Sequence, residues 1–170
     1  MSYTALRNIN KLEAIVNDFI DSFGCSGEIG LDFAYYPNTE EIVWSIVSCS
    51  TSDALFQEFV NDNYPNIQAD TFLWSLLHEI GHHMTYLEWT NDELRSSIEI
   101  KDFAQAMLAE SESYETERIS HFIYFSAPDE KRATEWAASY MLRYEEEILS
   151  FWHNFVEAYN EFLTLNQIER

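Results

Sequence analysis

Two histidines and a glutamate in His78-Glu79-Ile80-Gly81-His82 are the residues of this chain best spaced to do chemistry. On a helix, residues four apart share a face and sit about one turn apart, so the two imidazoles can converge on one ion. The glutamate beside the first histidine can reach a water on that ion. This is the H-E-x-x-H pattern of a zinc hydrolase, with two ligands and a general base in five residues. The spacing also fits two solvated histidines on an amphipathic helix, so the surroundings must decide.

They favour a helix. Between Asp70 and Leu87 there is no proline and one glycine, Gly81. At about 100° per residue, Leu73, Leu76, Leu77, Ile80, Met84 and Leu87 fall opposite His78. Thr71, Trp74, Ser75, His82 and Thr85 share its side, a mostly small or polar face suited to a cleft. Gly81 costs about 1 kcal/mol of helix propensity, which makes sense if another backbone passes close by.

A catalytic zinc takes three protein ligands and keeps a fourth position open. Position 88 is Glu88, so no third histidine follows at the spacing of the longer H-E-x-x-H-x-x-G-x-x-H motif. The third ligand must come from elsewhere, and Glu135 is the expectation. It lies in an expected helix over residues 127–143, where Ser126 can cap and Pro128 fits the first turn. Ala137 and Ala138 would let that helix approach the histidine helix closely. Glu112, Glu115 and Glu117 are alternative ligands, although a glutamate run is usually a solvated face. His83 points about 100° away from His82 and suits a supporting role better than ligation. His121, His153, Tyr140 and Tyr144 are candidates for stabilising an oxyanion.

These features resemble the ImmA/IrrE family of zinc metallopeptidases. The resemblance rests on His78, Glu79, Gly81, His82 and His83, then on Glu135, Ala138 and the run Tyr140-Met141-Leu142. It implies one Zn²⁺ per chain held by His78, His82 and Glu135, with Glu79 as the catalytic base. It also implies a protein or peptide substrate, such as a regulatory repressor.

The rest of the chain must position these groups. The 170 residues suffice for one domain, and 46% hydrophobic with 16% aromatic content is globular. Nine basic against thirty acidic residues give a formal charge of −21, a field that repels nucleic acid. No apolar run reaches membrane-span length, and no signal-peptide pattern opens the chain. With only Cys25 and Cys49, the expectation is a cytoplasmic protein with reduced thiols.

Helical periodicity is expected over 4–23, ending at Gly24. Two strand-like runs, 28–36 and 41–50, flank a turn at Pro37-Asn38-Thr39-Glu40. Paired as a hairpin they match Leu31 with Ile46, Phe33 with Trp44 and Tyr35 with Ile42, and the outward edge of 41–50 is the expected shelf for an extended substrate. Helices are expected over 52–63, 91–109, 111–125 and 144–166. The expected fold is α+β: a mostly helical single domain over 1–170, with a small antiparallel β-hairpin or sheet beside the metal-binding helix. Two other readings fit the same sequence, a catalytically silent metallopeptidase-fold binding protein and an acidic inhibitor in which the histidine motif is incidental.

Overall fold

The histidine helix is where apolar residues crowd most densely, and the other elements enclose it. The computed structural model describes residues 3–46 and 51–166. The elements are α1 (Tyr3–Asp21), β1 (Ser26–Ile29), β2 (Ala34–Tyr36), β3 (Glu41–Trp44), α2 (Thr51–Asn63), α3 (Thr71–Thr85), α4 (Asn91–Ala109), α5 (Tyr114–Phe125), α6 (Pro128–Arg143) and α7 (Glu145–Asn166), with a 3₁₀ turn at Tyr86–Glu88. The result is one mostly helical α+β domain, as expected. No helix among the described residues is long and apolar enough to cross a membrane.

Local chemistry sets most boundaries. Gly24 stops α1 at φ +84°, a conformation without steric cost for glycine. Asp70 caps α3 by accepting from the Phe72 backbone N–H at 2.9 Å. Thr90 and Glu93 form a reciprocal capping box on α4. Ser113 caps α5. Ser126 belongs to the C-terminus of α5, and α6 begins with Pro128 after Ala127 without a side-chain cap. Residues 47–50, Cys49 among them, lie outside the described residues, and Ser52 and Asp53, the expected caps of α2, lie within its first turn. Cys25 is buried as a free thiol.

The sheet differs from the expected hairpin. β2 and β3 pair antiparallel with Tyr35 opposite Ile42, in the expected register. The run 28–36 does not stay on that side, however. Residues 26–29 form β1, which pairs parallel with the other edge of β3 and sets Ile29 opposite Trp44. Residues 30–33 carry the chain across, and the Gly30 N–H bonds to the Trp44 carbonyl at 2.8 Å. Leu31, expected inside, is 90% exposed. The order is β1-β3-β2, so β3 is central and both its edges are paired. It cannot be the substrate shelf. Among the described residues, the strand beside α3 with an unpaired edge is β2.

The core joins the sheet to the helices. Trp44 is fully buried, and its indole N–H donates to Asn17 on α1 at 3.0 Å. Phe72 on α3 stacks on Phe155 of α7 with centroids 4.2 Å apart, and Phe19 of α1 stacks on Phe151 at 4.1 Å. α3 is buried on both its faces: Leu73, Leu76, Leu77 and Ile80 on one, and Trp74, Ser75, His78 and His82 on the other. Met84 and Leu87, expected in the core, are exposed where the helix runs out. A helix buried on both faces lies in the middle of a domain, so its polar groups must find partners inside the protein.

Candidate metal centre

Those partners come from α6. The buried residues of α6 are Glu130, Ala133, Thr134, Ala137, Ala138 and Met141, one helical stripe of mostly small side chains. The small side chains let α6 lie against α3 at close range. A Cβ placed on Gly81 would sit 2.4 Å from the Ala133 carbonyl oxygen, which is the close backbone approach expected of that glycine.

This contact brings three buried donors together. His78 Nε2 lies 2.9 Å from Glu130 Oε2 and 3.1 Å from His82 Nε2, and His82 Nε2 lies 3.5 Å from the same carboxylate oxygen. Tetrahedral zinc bonds of 2.0–2.2 Å put neighbouring donors about 3.3–3.6 Å apart. The triangle is therefore close to the size an ion requires, and the three residues form a group that could hold a metal ion. The second ring nitrogen of His78 agrees. Its Nδ1 lies 3.0 Å from Thr134 Oγ1, and that hydroxyl donates its own proton to the Glu130 carbonyl at 2.8 Å. The oxygen can then only accept, so Nδ1 carries a hydrogen, and Nε2 is the nitrogen left to offer a lone pair to an ion in the triangle.

Glu135 does not join this group. It follows Glu130 by five residues, about 140° further round the helix, and its side chain is 54% exposed with Lys131 at 3.7 Å. The third donor is Glu130. A signal for it stands in the sequence: the Glu-x-x-Ala pattern occurs twice, at Glu130–Ala133 and Glu135–Ala138, and only the first has its glutamate on the buried stripe. Glu112 and Glu115 are exposed and Glu117 is half-buried on α5, away from the triangle.

The electrostatics are those of a desolvated charged site. Burial alone would raise the Glu130 carboxyl, yet His82 and His78 hold it well below the usual carboxylate range. Its other oxygen, Oε1, is ion-paired with Lys101 of α4, which also grips Asp129. Burial works against the Lys101 charge, but Glu130 and Asp129 outweigh it, and the ammonium stays protonated. Burial pushes the Glu79 carboxyl up to about 7, with the Glu130 charge adding to the rise; His78, the Tyr35 backbone N–H and Lys101 oppose it. Glu79 is thus tied to β2 through its backbone, and the Tyr35 hydroxyl reaches His83 Nδ1 at 3.1 Å. His83 braces α3 against the sheet and is not a donor in the triangle.

His78, Glu79, His82 and Glu130 all line one cavity of about 690 Å³. Its wall runs from Asp32–Tyr35 beside β2 to Lys101, His121 and Tyr124 on α4 and α5. Of the expected oxyanion candidates, His121 faces this cavity, with Nδ1 bonded to the Glu117 carbonyl at 2.9 Å. His153 is exposed, Tyr140 donates to Glu147 at 2.7 Å, and Tyr144 lines no part of the cavity. Tyr124, which no sequence motif singles out, lines the cavity beside His121. No family model, curated protein or solved structure matches this chain.

Proposed function

We propose that the protein is a zinc-dependent hydrolase of peptide bonds, with His78, His82 and Glu130 as the ligands. The observation that carries this reading is the convergence of two imidazole nitrogens and a carboxylate oxygen, all buried, on the wall of a cavity that Glu79 shares. A zinc ion held there would supply Lewis acidity, acidifying a water and polarising a carbonyl. Glu79 would accept a proton from a water as its oxygen adds to the peptide carbonyl carbon, and would return it to the amine as the C–N bond breaks. A carboxyl whose surroundings raise it toward neutrality suits both tasks. The Tyr35 N–H and the rigid α3 hold it in place.

The substrate is a polypeptide in extended form. β2 borders the cavity, and its outer edge carries no other strand among the described residues, so backbone hydrogen bonds could align a chain without demanding a sequence. A regulatory protein such as a repressor remains the class that the resemblance suggests.

The test is turnover of a mixed quenched-peptide library by the zinc-loaded chain and by Glu79→Gln. The variant should keep its zinc and lose turnover by about 10²–10⁴-fold. Equal turnover in the two proteins would refute the assignment of Glu79. No turnover by the unaltered zinc-loaded chain would leave a metal-binding protein without hydrolytic activity.

A further inference from the structure

The Glu130 carboxylate is divided between two neighbours. Oε2 faces the two histidine nitrogens, while Oε1 is ion-paired with Lys101. Lys101 is itself held from three sides. It bonds to Asp129, and its ammonium lies 5.1 Å from the centre of the Tyr124 ring. One turn earlier on α4, Ser97 accepts from the Asp129 backbone N–H at 3.2 Å. The same face of α4 therefore grips the first turn of α6 twice, and the Lys101 side chain is only 21% exposed.

A carboxylate can bind an ion through one oxygen or both. With both oxygens of Glu130 and two histidines, four donor positions would be filled, leaving less room for the water a catalytic zinc needs. From the ion pair on Oε1 we infer that Lys101 is a positioning residue that makes Glu130 a one-oxygen ligand and so keeps a coordination position open. This rests on the metal reading above. Turning Oε1 toward the ion would pull it from a largely desolvated ion pair, which is costly to break.

A lysine that only tied α4 to α6 would behave differently when removed. Lys101→Met frees Oε1 and takes away a nearby positive charge, so cobalt should bind at least as tightly as in the unaltered chain. Its visible absorption should nevertheless fall several-fold, as the ion gains a donor and leaves four-coordination. Lys101→Arg, which keeps the charge and the N–H donors, should retain the four-coordinate spectrum. Asp129→Asn, which loosens the helix contact without freeing Oε1, should retain it too. An unchanged spectrum in Lys101→Met, or the same change in Asp129→Asn, would overturn the inference.

X-ray absorption of the unaltered zinc-loaded chain tests the same point without a variant. One carboxylate oxygen beside two nitrogens is expected, and two carboxylate oxygens at bonding distance would refute it. An unaltered chain that binds neither metal would instead remove the metal reading itself.

Discussion

His78 Nδ1 and Thr134 Oγ1 lie 3.0 Å apart across the α3–α6 contact, and the threonine hydroxyl spends its proton on the carbonyl of Glu130. One buried hydroxyl thus fixes the tautomer of one proposed ligand and braces the backbone of another. Thr134→Val keeps the volume and removes the hydroxyl. It should lower zinc affinity by about 10–100-fold and cost about 1–3 kcal/mol, because the buried Nδ1–H loses its acceptor. Thr134→Ser should restore both. Isothermal titration with zinc and urea unfolding read the two effects, and an unchanged affinity in Thr134→Val would show that Thr134 does not orient His78.

Gly81→Ala gains about 1 kcal/mol of helix propensity, but its Cβ would meet the Ala133 carbonyl at 2.4 Å. A backbone atom cannot rotate aside, so α6 must move. The overpacking cost of about 1–3 kcal/mol should outweigh the gain, and the displaced α6 should carry Glu130 away from the histidines. Lower thermal stability together with weaker zinc binding is the expected result. A more stable variant with normal zinc binding would mean that the helices do not lie this close.

How much of this was legible in the sequence follows from what is local. The span of α3, the shared face of His78 and His82, and the need for a small residue at Gly81 all follow from spacing within one helix. The third donor required knowing which face of α6 meets α3. The stripe through Ala133, Ala137 and Ala138 marks that face and contains Glu130, whereas Glu135 matches the motif but lies off that face. Tyr35 opposite Ile42 was legible because a short turn fixes the register of neighbouring strands. The passage of residues 30–33 to the far side of β3 was not, because no local pattern specifies the parallel partner. Lys101, distant in sequence from both Glu130 and His78, carries no motif at all.

The metal-free chain should record the strain at Glu79. Its carboxyl stands at 4.5 when unperturbed and is pushed up to about 7 by burial. A raised folded value means that the stability contribution is intact below about pH 4.5 and is lost as pH rises through about 7. Chelator-treated Glu79→Gln should therefore be more stable than the unaltered chain at pH 8, with the gap closing toward pH 4. Urea midpoints across that range provide the check. A gap that does not change with pH would mean that Glu79 titrates as an ordinary surface carboxylate.

The identity of the third donor is tested most directly by zinc titration of the unaltered chain, Glu130→Ala and Glu135→Ala, with circular dichroism to confirm that each is folded. One zinc should bind per unaltered chain. Glu135→Ala should match it, because that side chain faces solvent and Lys131. Glu130→Ala should lose more than about a hundredfold in affinity, beyond what an indirect partner of a ligand costs. Undiminished binding in Glu130→Ala, or a loss in Glu135→Ala alone, would contradict the His78–His82–Glu130 centre.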